Sequence, residues 1–298
     1  MTGKILILYH ANCLDGFAAA FAAWVKFGDT AEYIPVNYGD EPPDATEKEV
    51  YILDFSYKRD ILLRMEAKAK FLIVLDHHKS AQEDLSDLLF AVFDMNRSGC
   101  VMAWEYFHHS YSPSGLLMIQ DRDLWQFKIP GTKAFNAALR AFIEPTFSAW
   151  SAVLSSGINT TKLIERGQDL LEVFDKDVLE IAKRKHKITL SGYEGLACCA
   201  TPKYASELGN KLALESGTFG AVYSFDGGRK EWQFSLRSAG EFDVSAIAKD
   251  FNGGGHKNAS GFATKQLLTF TGKQNVYKRP PPRHSQGNQA SGERDDDG

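Results

Sequence analysis

Four cysteines in 298 residues, none at Cys-x-x-Cys spacing, leave nothing from which to build a disulfide framework. Cys198 and Cys199 are adjacent in an apolar stretch and read as core. No run of 18 or more apolar residues occurs, so no transmembrane helix is expected. The opening MTGKILILYHANCLDG has too short an apolar run for a secretory signal, and a polar, acidic loop stands where a small-residue cleavage site belongs. These absences together predict a cytoplasmic protein with no membrane partner. An excess of positive charge is missing too: the formal net charge is −4, which gives no global footprint for duplex DNA and leaves open only a local basic cleft. What remains is ordinary for a globular chain, 44% hydrophobic and 24% charged, at a length suited to one large domain or two modest ones.

The first third alternates apolar runs with helical patterns. KILILY, EYIPVNY, VYILDF and FLIVLD read as strands, with LFAVFD as a fifth, and helices are expected in GFAAAFAAWVKFG, around 58–69 and around 99–109. This alternation predicts a doubly wound, mostly parallel sheet with helices on both faces. Residues 113–187 look mainly helical, and TTKLIERGQDLLEVFDKDVLEIAKRKHK reads as one long helix joining two domains. A smaller α/β domain follows, with strands in GLACCAT, FGAVYSF and EWQFSLRS and helices near 204–216 and 243–250. The boundaries expected are 1–158, a helical linker over 159–187, a second domain over 188–268, and a tail over 269–298. The tail's PPPR, QGNQASG and RDDDG segments are too polar to offset the entropy of ordering.

Chemistry concentrates at strand ends. The first strand runs out through His10 to Cys13 and Asp15, the third ends at Asp54, and the fourth ends at Asp76-His77-His78. MIQDRDLW then offers Asp121 and Asp123. One Asp at a strand end is usually a helix cap, and the His108-His109 pair, with no carboxylate beside it, reads as surface. Three strands each running out to Asp, two with His alongside, outweigh that plain reading, because parallel neighbours deliver their carboxyl ends to one rim. Crowded carboxylates need protons or cations. The mixed carboxylate–imidazole set suits two divalent ions, Mn²⁺ first, with Mg²⁺, Co²⁺ or Zn²⁺ as alternatives. Near the end, Asn252-Gly253-Gly254-Gly255-His256-Lys257 offers backbone amides and two cationic or polar side chains to an anion, and Arg237 in FSLRS offers a planar fork for phosphate.

Taken in order, these segments resemble the DHH phosphoesterases. Leu75-Asp76-His77-His78 is similar to the motif that names the superfamily, and FSLRS followed by DVSAIAKDFNGGGHKNASGF is similar to the DHHA1 domain that accompanies it. The resemblance covers roughly residues 4–265. It implies a DHH-like domain joined to a DHHA1-like domain, an active site in the cleft between them, and two metal ions. Carried over position by position, it implies His10, Asp15, Asp54, Asp76, His77 and Asp121 as ligands, with Asp76 bridging. His78 would act at the scissile phosphate with Asp76 beside it, while Arg237, Gly254, Gly255, His256 and Lys257 would hold substrate. One departure stands out: many members carry Asp-x-Asp in the first motif, where this chain has Cys13-Leu14-Asp15. Cys13 is either a thiolate ligand favouring a softer ion or a silent loop residue.

The function expected is hydrolysis of phosphodiester bonds in short single-stranded RNA or DNA, one nucleotide at a time, in the manner of an oligoribonuclease. The chain lacks an evident added domain for gripping a long strand. A nucleotide phosphatase of the 3′-phosphoadenosine phosphate type, a cyclic dinucleotide phosphodiesterase and an inactive nucleotide-binding module are the rivals. A homodimer is compatible with the sequence. Trp125, Phe127 and Tyr204 are candidate base-stacking residues, with core packing the plainer role for most aromatics.

Overall fold

The structure, a computed structural model, describes residues 4–154 and 157–268. The tail expected over 269–298 lies outside the described residues. The first half is built from β1 (Ile5–His10), α1 (Leu14–Phe27), β2 (Ala31–Val36), β3 (Glu49–Leu53), α2 (Arg59–Glu66), β4 (Phe71–Asp76), α3 (Lys79–Leu85), β5 (Ala91–Phe93) and α4 (Gly99–His108). Its five strands form one parallel sheet in the order β2-β1-β3-β4-β5. Both faces are covered, which is why ILILY shows no polar alternation. Leu6, Leu8, Ile52 and Val74 pack against Leu62, Met65 and Leu85 on one face. Ile7, Leu53 and Leu75 pack on the other against α1 and α4, where the buried Ala18, Ala19, Ala22 and Ala23 let the two helices approach closely. Truncating a fully buried residue such as Ile52 to Ala would cost about 2–5 kcal/mol.

A helical layer follows: α5 (Ser114–Asp123), α6 (Thr132–Phe142), α7 (Phe147–Leu154) and α8 (Gly157–Ala182). The sequence pattern carried the long helix to 187, but it ends at Ala182, and residues from His186 form a strand. The basic run Lys183-Arg184-Lys185 has no apolar position with which to continue the helical stripe. Ile188 and Leu190, two residues apart, instead bury on one face of a sheet.

The second half contains β6 (His186–Leu190), β7 (Tyr193–Cys199), α9 (Ala205–Ser216), β8 (Phe219–Asp226), β9 (Glu231–Ser238), α10 (Val244–Asp250), β10 (Gly254–His256) and β11 (Ala259–Thr264). The six strands form a mixed sheet in the order β10-β11-β9-β8-β7-β6, with β7 and β8 parallel and the other pairs antiparallel. Cys198 is buried as expected; its neighbour Cys199, read from sequence as core, faces outward because successive strand residues point to opposite faces.

The two sheets meet at α3, which the sequence pattern did not reveal and which begins directly after His78. Lys79 Nζ lies 2.5 Å from Asp243 Oδ2, Lys249 pairs with Glu83, and the Gly255 amide donates to Ser80 Oγ at 3.2 Å. This contact sets the β10–β11 hairpin against the carboxyl ends of β1, β3 and β4.

Candidate metal centre and active-site cleft

The turn after each central strand delivers one part of the centre. Asp54 leaves β3 with φ of 56°, a left-handed conformation that Asp tolerates better than most residues but that still costs about 1–3 kcal/mol. Its amide donates to Leu75 O at 2.9 Å, which anchors the turn to β4. Asp15 lies in the first turn of α1 and is buried. One of its oxygens accepts from Ser98 Oγ at 2.7 Å and from the Cys100 amide at 3.2 Å, at the N-terminus of α4, where the helix dipole favours negative charge. Gly99 sits between these two donors. A Cβ there would fall 2.4 Å from Asp54 Cβ and 2.9 Å from Asp15 Oδ2, so only glycine lets α4 approach both carboxylates.

His77 Nε2 is the hub of the cluster, 3.0 Å from Asp54 Oδ1, 3.4 Å from Asp123 Oδ2 and 3.7 Å from Asp15 Oδ2. His10 Nδ1 lies 3.6 Å from the other oxygen of Asp54. Donor atoms therefore gather in three groups: Asp15, Asp54 and His77; His10, Asp54 and His78; and His77, His78 and His256. Asp54 belongs to the first two. Asp15 Oδ2, Asp54 Oδ2, Asp123 Oδ2 and His10 Nδ1 are all buried without a hydrogen-bond partner among the described residues.

The electrostatics carry the same message. Burial raises the Asp15 carboxyl well above the usual carboxylate range, and the charges of Asp54 and Asp123 raise it further. Burial raises Asp123 as well, with His77 opposing and Asp54 adding. Burial works against a charged His77, but its hydrogen bond to Asp54 and the charges of Asp123, Asp54 and Asp15 push it up to about 10. Burial likewise opposes ionised Asp54, yet His10 and His77 hold it well below the ordinary value. Protons are thus drawn into a nest of buried acceptors. Orphaned carboxylate oxygens and imidazole nitrogens are the donors that hard to borderline divalent cations take, so the residues fit such ions.

Several expected residues are placed differently. Asp76, expected to bridge two ions, is fully buried and committed elsewhere: Oδ1 accepts from the amides of His77 and His78 and from His78 Nδ1 at 2.7 Å, and Oδ2 accepts from Ser56 Oγ at 2.5 Å. It shapes the turn and orients His78, leaving Nε2 of that imidazole outward. Asp54 occupies the shared position instead. Asp121, expected as a ligand, has both oxygens taken by the amides of Lys128 and Ile129 and by Thr132 Oγ1, at 2.6–2.9 Å. Asp123, two residues on, reaches the cluster. Consecutive odd positions of a helix point roughly 200° apart, so one of the pair can face the centre, and only the fold of the 124–132 loop decides which. Cys13 precedes α1, and its thiol is raised by burial and by the charges of Asp54, Asp123 and Asp15, but it joins none of the three donor groups. His108 and His109 stay apart from the centre: His108 packs on Trp104 and meets Ala22 O at 2.9 Å.

From the other sheet, His256 crosses the cleft. Its ring lies 4.5 Å from that of His78, nearly parallel, and 4.7 Å from that of His77. Burial and the two neighbouring imidazoles hold it well below the ordinary histidine value. The glycines before it do not form the free anion cradle expected from the sequence. Gly254 and Gly255 are strand residues paired with β11, and the Gly255 amide is spent on Ser80. At φ of 135°, with Ala259 O 2.6 Å from where a Cβ would stand, Gly255 lets the hairpin close tightly enough to project His256. Lys257 turns away to pair with Glu241 at 2.6 Å. Arg237, on β9, lies beside α9 and donates to Ser206 Oγ at 3.0 Å. Tyr204 stacks on Phe174 and donates to Asp177, a packing role. Trp125 and Phe127 are half-buried, edge to face at 4.8 Å, both with left-handed backbone.

A parallel sheet and a mixed sheet enclosing a carboxylate–histidine cleft define a class, and similarity to known proteins agrees with it. Residues 200–276 match the DHHA1 domain. An uncharacterized protein, R106, of Acanthamoeba polyphaga mimivirus is 35% identical over 285 residues, spanning 87% of this chain and 67% of that protein. Among solved structures, an exopolyphosphatase-related protein from Bacteroides fragilis shares the fold at a TM-score of 0.50 and 15% identity, over 89% of this chain and 87% of the other. A pGpG-specific phosphodiesterase from Vibrio cholerae aligns at a TM-score of 0.46 and 13% identity, over 87% and 92%, a likeness too weak to carry weight. The chain belongs to the DHH/DHHA1 superfamily of phosphoesterases.

Proposed function

We propose that the protein is a two-metal phosphoesterase that hydrolyses phosphodiester bonds of short oligonucleotides. The observation that carries this reading is the double membership of Asp54, whose two oxygens face separate donor groups, His77 and Asp15 on one side and His10 and His78 on the other. Asp15, Asp123 and His77 would hold one ion, His10 the other, and Asp54 both. Divalent ions so held supply the Lewis acidity that activates water and neutralises charge developing on a phosphoryl group. Mn²⁺ suits this oxygen–nitrogen set best, with Mg²⁺, Co²⁺ and Zn²⁺ as alternatives.

The side chains divide the remaining work. Asp76 fixes the His78 ring through Nδ1, so that Nε2 is the atom available to donate a proton toward the leaving oxygen. His256, on the opposite sheet, is neutral and positioned to hydrogen-bond a phosphate oxygen. Ser98 and the α4 N-terminus keep Asp15 aimed inward. The cleft accepts a short or terminal piece of nucleic acid, and the protein's net charge of −4 argues against a surface that tracks a long strand.

The test is a substrate panel with Mn²⁺: linear dinucleotides, cyclic dinucleotides, 3′-phosphoadenosine phosphate and a 20-nucleotide strand. Fastest turnover of the linear dinucleotides supports the reading. Preference for either alternative nucleotide class reassigns the substrate, and inertness toward all of them defeats it.

A further inference from the structure

The loop after β2 carries an aromatic side chain to the rim of the metal centre. Tyr38 follows closely on Val36, whose carbonyl accepts from the Ala11 amide at 2.8 Å, so β1 and β2 leave the sheet side by side. A tight turn then fixes the loop. Asp40 Oδ2 accepts from the Asn37 amide at 2.8 Å and from Asn37 Nδ2 at 3.0 Å, and the Asp40 amide donates back to Asn37 O at 3.1 Å. Asn12 Nδ2 donates to Asn37 Oδ1 at 3.3 Å, which ties this turn to the loop that delivers Asp15. Gly39 completes it at φ of 91°, a conformation that glycine adopts without strain.

The turn sets the Tyr38 ring among residues of the centre. Its centroid lies 4.8 Å from that of Phe55, 5.4 Å from that of His10 and 6.3 Å from that of His78, with both imidazoles edge to face against it. Phe55 is buried, so the ring rests on core, yet Tyr38 itself stays 53% exposed. A Cβ on the adjacent Gly39 would meet nothing within 4 Å, so the space beside the turn is open. Single exposed aromatics are ordinary on a protein surface. This one differs in being held by a hydrogen-bonded turn and in lying against two imidazoles with assigned work, one at a metal ion and one at the leaving oxygen. The aromatics that the sequence offered for stacking are engaged elsewhere: Trp125 with Phe127, and Tyr204 with Phe174.

We propose that Tyr38 stacks the base of the nucleoside joined directly to the scissile phosphate. This rests on the phosphoesterase reading and narrows it. The substrate is a nucleotide held by the flat face of its base, and inorganic polyphosphate lacks the group that the ring receives. Every base has a π-face, so a stacking platform tolerates any sequence. With His78 Nε2 at the leaving oxygen, a ring 6.3 Å from that imidazole is level with the adjoining base and not with one further along the strand. A ring already fixed by its turn and by Phe55 loses little freedom when the base arrives.

The experiment compares the full chain with Mn²⁺ on ApA and on two analogues in which the 5′ or the 3′ nucleoside lacks its base. ApA is expected to exceed one analogue in kcat/KM by about tenfold or more, the factor one base–aromatic stack supports. In Tyr38→Ala that ratio should collapse toward one, while Tyr38→Phe, which keeps the ring and drops the hydroxyl, should keep it. A Tyr38 that merely propped His10 would, when replaced by Ala, slow all three compounds by the same factor and leave the ratio as it was. That result would overturn the proposal, as would equal rates of the wild type on all three compounds or collapse of the ratio in Tyr38→Phe. If ApA is not hydrolysed at all, the phosphoesterase reading fails separately, and the fluorescence of 2-aminopurine riboside 5′-monophosphate, which stacking quenches, still decides this one. Quenching by wild type and Tyr38→Phe that Tyr38→Ala abolishes supports it. No quenching, or quenching that persists in Tyr38→Ala, sinks it.

Discussion

On one side of the cleft, a parallel sheet ends in Asp15, Asp54, Asp76, His10, His77 and His78, with Asp123 joining from α5. On the other, a mixed sheet presents His256, which is neutral, and Arg237. The first wall has acceptors in excess of donors, and protons are pulled onto Asp15 and His77 to compensate. The second brings the His256 ring to 4.5 Å from that of His78 and 4.7 Å from that of His77. Crowded buried carboxylates and imidazoles of this kind call for cations or protons.

This contrast can be broken at chosen points. The largest effect is expected from Asp54→Asn, which removes the charge and one of the two oxygens by which Asp54 serves both donor groups. Turnover should fall by about 10³-fold or more, as when a central catalytic group is lost, together with metal content read by elemental analysis. Next comes Gly99→Ala, which places a methyl 2.4 Å from Asp54 Cβ. A shift of about 1 Å in a catalytic carboxylate costs about 10²-fold in rate, and overpacking should lower stability by about 1–3 kcal/mol in urea unfolding. His256→Ala acts from the opposite wall. It should cost about 10²-fold in kcat while the ions around Asp54 stay bound, and loss of those ions would merge the two walls into one site. Lys257→Ala should change kcat/KM by less than about twofold, since its ammonium is exposed and paired with Glu241. A larger loss would mean that the lysine swings inward when substrate binds.

The sequence makes the acidic wall far more legible than the one opposite. Period and position suffice for a parallel strand: FLIVLD followed by His77-His78 announces both a buried strand and where its chemistry points. What the pattern left open there was finer. Asp76 and Asp54 both end strands, and only the hydrogen bonds of Ser56 and the two following amides reveal that Asp76 faces inward to hold the turn. The pair Asp121 and Asp123 was undecidable without the loop that caps Asp121. Gly99 and Ser98 carried no local signal beyond an ordinary helix start. On the opposite wall, three glycines suggested an open anion cradle, but pairing with β11 and the bond to Ser80 make Gly254 and Gly255 strand residues. Arg122 and Glu207, distant in sequence, meet only because α5 and α9 face each other, so no spacing rule could pair them.

The most direct test of the central claim is the number of divalent ions this chain holds. Protein stripped with chelator and titrated calorimetrically with Mn²⁺ should bind two ions per chain and recover hydrolysis of a dinucleotide as they fill, and Asp54→Asn should lose both responses. Wild-type protein that takes up no Mn²⁺, or that hydrolyses the dinucleotide at full rate while stripped, would contradict the account.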